Sequence, residues 1–241
     1  MNLKEIQFKL KNIQKNIAFE EKDHKYYFKG KPLVSVTQFV KKHTNPFDPT
    51  GDILKNTAKK RGLTSQQLQI EWDSNNKAAC DKGNYVHDYL ERQLLGLSDP
   101  FSLKYVDSYY GAKTCLGWIN GVYYEVIGTE VMLYSETMQL AGQVDLLLWD
   151  CRNQWIIVCD FKTNSKQLSQ DNPYNKFMLH PFKKYPDVKF NHYALQTGIY
   201  GRMLTEMGFN VSADSILFHI LPNSLQILDC NNGIIQCLHN I

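Results

Sequence analysis

The sequence predicts an α/β fold: a central mixed β-sheet flanked by helices, with a small N-terminal lobe ahead of it. Three observations carry this. Residues 141–149 and 155–163 are apolar runs on either side of the polar stretch 150–154, the pattern of a β-hairpin. Residues 123–127 and 129–134 have strand-forming composition. Before and after these, residues 74–95 repeat apolar and small side chains at three- and four-residue steps, and residues 191–207 read as a second long helix.

Taken in order, Leu3, Ile6, Leu10, Ile13 and Ile17 are spaced for a short amphipathic helix over 3–16. Residues 16–28 read as a hairpin, with His24 as a polar residue of its turn. Ser35 or Thr37 can cap a helix running to about Lys42. The prolines and glycine of 45–51 break the chain. Two helices are expected over 52–72, the first ended by Gly62 and the second starting near Leu63 and leading to Trp72. In the helix 74–95, Ala79 and Gly83 are small enough to lie close to a sheet, and His87 and Glu91, four apart, project from one face. Residues 96–100 end it, and 101–120 read as another helix with Phe101, Tyr105 and Tyr109 in the core. The segment 164–190 is long and irregular, which in a compact fold marks a functional or mobile connection. Gly208 ends the helix 191–207, and residues 215–221 and 225–229 make a closing hairpin. A lobe over 1–72 and a core over 73–241 are expected within one compact unit.

The 241 residues are 43% hydrophobic and 21% charged, the balance of a globular protein. No apolar run approaches the ~20 residues of a membrane span, and the N-terminus lacks the apolar stretch of a secretory signal. The six cysteines form no C-x-x-C pair, so thiols are expected reduced and the protein intracellular, in a bacterium or a virus-infected cell. Net charge is only +3 but uneven: residues 1–31, 41–61 and 163–192 are basic, whereas 120–160 hold six acids and one arginine. An acidic centre between basic flanks suits a metal site that receives a polyanion, although charge alone is equally that of ordinary solvated faces.

The chemistry concentrates at the end of the central hairpin. Alternation puts Ile156, Val158, Asp160 and Lys162 on one face, so a carboxylate and an ammonium emerge together. Asp145 lies on the partner strand near the same end. Glu130, among strand apolars, needs a partner or a metal unless it faces solvent. Singly these are weak signals: Asp-x-Lys is common by chance, and a lone helical histidine is more often a core or surface residue than a ligand. Together, carboxylate oxygens and one imidazole suit Mg2+ or Mn2+. Such an ion polarises a phosphoryl oxygen, and a neighbouring lysine orients water and offsets developing charge, which are the needs of phosphodiester hydrolysis. The lysines and aromatics of 164–190, Lys176 among them, suit a single-stranded nucleic-acid path or, as readily, a surface loop pinned by its rings.

Gly83-x-x-x-His87-x-x-x-Glu91, Gly142-x-x-Asp145, Asp160-Phe161-Lys162-Thr163 and Gln196-x-x-x-Tyr200 resemble the motifs of the PD-(D/E)-x-K nuclease superfamily, in its RecB-like exonuclease branch. Residues 26–40, with Ser35-Val36-Thr37, and residues 176–200 resemble phage-type and mitochondrial genome maintenance exonucleases of that branch. The resemblance covers about residues 19–205. It implies a restriction-endonuclease-like core and a metal-dependent deoxyribonuclease acting on single-stranded DNA or DNA ends. It implies further that His87, Asp145, Asp160 and the Phe161 carbonyl hold one or two Mg2+ or Mn2+ ions, that Lys162 is catalytic, and that Glu130 is an extra acid. Gln196, Tyr200, Lys176, Ser35 and Thr37 are then expected at the DNA. Val144 stands where the motif has proline, and the cysteine set of the iron–sulfur members is missing, so no cluster is expected. The rival readings are an RNA endonuclease of the cap-snatching type, a catalytically silent nucleic-acid-binding module and a protein–protein adaptor.

Overall fold

The computed structural model describes residues 1–46, 50–97, 100–121 and 123–240, with the backbone alone at 232, 239 and 240. Parts of the expected breaks at 45–51 and 96–100 therefore lie outside the described residues.

Two strands make the centre of the molecule. β5 (Leu140–Asp150) and β6 (Trp155–Lys162) are antiparallel neighbours, as the sequence predicts, and are buried along nearly their whole length. Asp150 closes their turn by accepting hydrogen bonds from the backbone N–H groups of Arg152 and Asn153 and from the Asn153 side chain. The remaining strands are β1 (Ile17–Glu20), β2 (Lys25–Phe28), β3 (Lys31–Ser35), β4 (Tyr124–Ser135), β7 (Asp214–Leu221) and β8 (Ser224–Asn231). Sheet order is β1-β2-β3-β5-β6-β7-β8, with β4 also paired to β5. The β3–β5 and β6–β7 pairs are parallel and the others antiparallel, so the sheet is mixed.

Helices cover both faces. On one side α1 (Leu3–Gln14), α2 (Val36–Lys42) and α6 (Lys189–Glu206) pack Ile6, Leu10, Val36, Leu195, Ile199 and Met203 against Val144, Leu147, Ile156, Val158 and Leu217. On the other, α4 (Ser65–Leu94) and α5 (Tyr109–Ile119) pack Val86, Leu90, Ala112 and Cys115 against Leu146, Leu148, Ile157, Cys159 and Phe161. The division follows the predicted alternation along β6. Each of the larger of these side chains contributes ~2 kcal/mol by leaving water.

Besides the helix expected over 101–120, which begins only at Tyr109 after a 3-10 stretch over Leu103–Ser108, two elements differ from the sequence prediction. The helices expected over 63–72 and 74–95 are one helix, α4, of 30 residues, started by a Thr64–Gln67 capping box. Its first turns pack Leu68 on Leu54 and Ala58 of α3 (Asp52–Arg61), forming a satellite cluster apart from the sheet. The expected 72/73 division thus falls inside a continuous helix. The second difference is β3, which joins the N-terminal hairpin to the central sheet through Val34↔Leu140 and Ser35↔Ala141. Among the described residues no helix is long and apolar enough to cross a membrane.

Gly142 shows why the start of β5 has no side chain there. A Cβ on it would lie 2.6 Å from the Tyr200 hydroxyl oxygen and 2.8 Å from the ring, and Tyr200 is buried in α6. We expect Gly142→Ala to lower stability by ~1–3 kcal/mol, read as a urea midpoint. The loss should shrink when Tyr200→Ala clears the space; additive effects of the two substitutions would contradict this packing.

Candidate metal centre

The site begins with a strand fork. Backbone pairing of β5 and β6 runs from Asp150↔Trp155 to Leu146↔Cys159. At the next position the Phe161 N–H donates instead to the Asp145 carboxylate, at 2.8 Å. Asp145 also interrupts the alternation of β5: Val144 packs on the α6 side and Leu146 on the α4 side, where strict alternation would put both on one side. The interruption brings Asp145 to the α4 face.

β4 is irregular at the same level. Its register with β5 shifts between Val126 and Gly128, and Glu130 adopts a left-handed backbone with φ of 48°. The Glu130 carbonyl accepts a hydrogen bond from Gln143 Nε2, at 3.3 Å. Facing this point is the helix face predicted for α4. Gly83 lets the helix approach the end of β6, with Thr163 Oγ1 3.3 Å from where a Cβ would be. One turn on, His87 Nδ1 lies 3.4 Å from Asp145 Oδ2 and its ring meets Phe161 edge-on.

His87, Glu130 and Asp145 thus each offer a ligand atom within 4.8 Å of the others. They line a cleft of about 410 Å³ together with Cys80, Gly83, Asn84, Asp88 and Glu91. Glu91 accepts a hydrogen bond from Thr129 Oγ1. Burial pushes the Glu130 carboxyl up to about 8, and Asp145, Glu91 and Asp160 add to the shift.

Asp160 and Lys162 are next to this trio but turned to the α6 side. Their side chains are in ionic contact; Asp160 is almost fully buried and Lys162 partly so. Burial raises the Asp160 carboxyl, with Asp145 adding and Lys162 opposing. Burial alone would lower Lys162, but Asp160 and Asp145 outweigh it and hold the ammonium above its usual value. Lys162 Nζ also lies 4.6 Å from the centre of the Tyr193 ring, whose hydroxyl donates to Asn164 Oδ1.

The other predicted residues are more dispersed. Phe161 reaches Asp145 through its N–H. Tyr200 is buried on Gly142 with Gln196 against its hydroxyl, so it holds β5 and α6 together; the expectation that Tyr200 touches DNA is corrected by this burial. Gln196 is half-buried. Ser35 is buried as the N-cap of α2, accepting from Gln38 N and bonded to the exposed Thr37 hydroxyl; it is a structural cap rather than a DNA contact. Lys176 is exposed on the 163–188 segment. Sequence reasoning missed Tyr193, although it lies one turn before Gln196 on the same helix, and Gln143, which carried no signal.

The residues present fit a hard divalent cation. Octahedral Mg2+ sets its ligand atoms about 3 to 4.2 Å apart, a spacing the trio can reach by small side-chain movements. Crowded carboxylates that raise one another are what a cation relieves. All six cysteines are free thiols.

Neither a protein-family model nor a curated protein matches this sequence. Among solved structures, one described as "Crystal structure of SSO0001" aligns over 100% of this chain and 84% of its own, at 16% identity and a TM-score of 0.35. A likeness of that degree carries no argument.

The raised Glu130 gives a sign to the pH dependence of folding. Its carboxyl stays protonated in the native state where the unfolded chain has released the proton, so stability falls as pH rises from about 4.5 through about 8. In EDTA, we expect wild-type protein to lose about 2–4 kcal/mol between roughly pH 5 and 8.5 in urea titrations, and Glu130→Gln to lose clearly less. Equal losses would contradict the burial of this carboxyl.

Proposed function

We propose that the protein is a divalent-metal-dependent nuclease of the PD-(D/E)-x-K type, hydrolysing phosphodiester bonds in DNA, from ends and on single strands. The observation that carries the reading is the meeting of two groups at one strand fork: the His87–Glu130–Asp145 trio and the Asp160–Lys162 pair. An ion-binding trio alone fits many proteins. A partly buried lysine kept charged beside it is a feature that phosphoryl transfer needs and a structural metal site does not.

In this reading His87, Glu130, Asp145 and, after parting from Lys162, Asp160 hold Mg2+ or Mn2+. When bound, such an ion supplies Lewis-acid polarisation of a phosphoryl oxygen and a more acidic water. The chain's own groups do the rest. The Phe161 N–H fixes the Asp145 carboxylate. Lys162 presents an ammonium able to donate to a non-bridging phosphate oxygen. The Tyr193 ring and Asn164 limit where that ammonium can go. End-dependence and the preference for DNA come from the sequence resemblance.

Lys162→Met is expected to lower the rate of cleavage by ~10³-fold while leaving Mn2+ binding, followed by calorimetry, intact. Asp145→Asn should abolish both. Gln196→Ala should slow turnover less than Lys162→Met. A circular single strand should resist an enzyme that cuts its linear form. Cleavage of RNA alone would favour the endonuclease alternative, and full activity in EDTA or in Lys162→Met would overturn the proposal.

A further inference from the structure

β7 carries His219, which is fully buried. Leu217, two residues before it, packs in the α6-side layer, whereas Phe218 and Ile220 pack in the α4-side layer. Alternation therefore turns His219 to the α6 side, the side of Lys162. Its register partner on the parallel strand β6 is Lys162 itself, and on β8 it is Gln226.

A buried polar side chain costs free energy unless its hydrogen bonds are made. Those of His219 are made to its neighbour on β8 and to chain outside the sheet. Nε2 donates to the Asn164 carbonyl at 2.8 Å, and Nδ1 lies 3.0 Å from Gln226 Oε1. Gln226 in turn accepts from Leu168 N at 3.2 Å and donates to the Leu168 carbonyl at 3.1 Å. Residues 163–168 belong to no helix or strand. The two side chains thus give this stretch the partners that a further strand would have given it.

The hold falls two residues after Lys162. Asn164, whose carbonyl His219 holds, accepts from the Tyr193 hydroxyl through its side chain at 3.0 Å. The centre of the Tyr193 ring is 4.6 Å from Lys162 Nζ. The contacts therefore close a circuit from Lys162 along the chain to Asn164, across to Tyr193 and back to the ammonium. One nitrogen of His219 ties that circuit to β7. A leucine at the same place would fill the layer without the cost of burying a polar ring, but it would leave the Asn164 carbonyl without its donor.

We propose that His219 is a positioning residue for Lys162: by holding the Asn164 carbonyl through Nε2 it keeps Tyr193, and with it the ammonium, in place. It touches neither substrate nor ion. This rests on the nuclease reading, in which Lys162 donates to a phosphate oxygen.

The test compares two amides at position 219. In His219→Gln the amide nitrogen falls near the place of Nε2 and can keep the bond to Asn164. In His219→Asn it falls near the place of Nδ1 and can keep only the contact with Gln226. Cleavage of a labelled oligonucleotide with Mn2+ should show kcat lowered about 10- to 100-fold in His219→Asn, with KM and Mn2+ affinity unchanged, and most of kcat restored in His219→Gln. Adding Tyr193→Phe to His219→Asn should cost less than the product of the two separate losses. A second readout needs no turnover: the Lys162 ammonium resonance in protein labelled with 15N-lysine, assigned by its loss in Lys162→Met. It should shift or broaden in His219→Asn and stay near its wild-type position in His219→Gln. Urea midpoints check that each variant is folded. If both amides lower kcat alike, in step with their midpoints, or if the resonance stays in place in His219→Asn, His219 only fills the core; the proposal is overturned and the nuclease reading stands. Multiplicative losses with Tyr193→Phe overturn the route through Asn164. If wild type cleaves no nucleic acid, the nuclease reading falls, and the resonance still decides whether His219 places Lys162.

Discussion

The carboxylate of Asp145 takes a hydrogen bond that a strand partner would ordinarily take, and the rest of the site depends on it. Backbone pairing of β5 with β6 stops after Leu146↔Cys159, and β3 meets β5 only at Leu140 and Ala141. Between these, β5 has a fork rather than a ladder. A buried N–H at Phe161 without an acceptor would cost free energy comparable to a lost hydrogen bond. Asp145 removes that cost and is itself fixed in orientation. The fork therefore places a charge between two apolar layers without leaving the backbone unsatisfied. Tyr200, packed on Gly142, closes it from the α6 side.

Around this fork the structure departs from what a sheet alone would favour. Of the non-glycine residues with positive φ, Glu130 lies within a strand, and the others lie in turns and loops. Such a backbone costs about 1–3 kcal/mol. Its carboxyl is raised to about 8 by burial and like charge, and Asp160 is raised for the same reasons. The layers on either side, from Val86 and Leu90 to Leu195 and Ile199, supply the burial that sustains these local costs. Strain and charge crowding coincide at one place, at the mouth of a cleft, which is where a ligand of opposite charge gains most.

Much of this was legible in the sequence because it depends on local periods. The hairpin and the two faces of β6 follow from alternation, the shared face of His87 and Glu91 from helical spacing, and the closeness of α4 to the sheet from Gly83. What was not legible is non-local. Asp73, Ser74, Asn75 and Asn76 look like a helix break, yet α4 runs through them because Leu68 is anchored in one cluster and Val86 and Leu90 in another. β3 forms because a distant parallel strand pairs with it. Strict alternation could not anticipate that Asp145 and Asp160 come to lie on different sides, since that needs the interruption between Val144 and Leu146. The burial of Tyr200 and Ser35 could not be read either. Motif spacing puts a residue near a site without telling whether it faces the ligand or supports the residue that does.

The electrostatics of the fork also narrow what Lys162 can do. Asp160 and Asp145 together outweigh the effect of burial and keep it protonated. A lysine held in that form at neutral pH is not a proton acceptor. Its ammonium can orient a nucleophile, donate to a phosphate oxygen or offset charge as a bond breaks, and each of these keeps the proton on the nitrogen. The Tyr193 ring favours the same state, since its face attracts a cation. The sheet thus separates a fixed positive charge on the α6 side from a crowded acidic group on the α4 side, and Asp145 at the fork acts on both, on His87 by contact and on Lys162 by its charge.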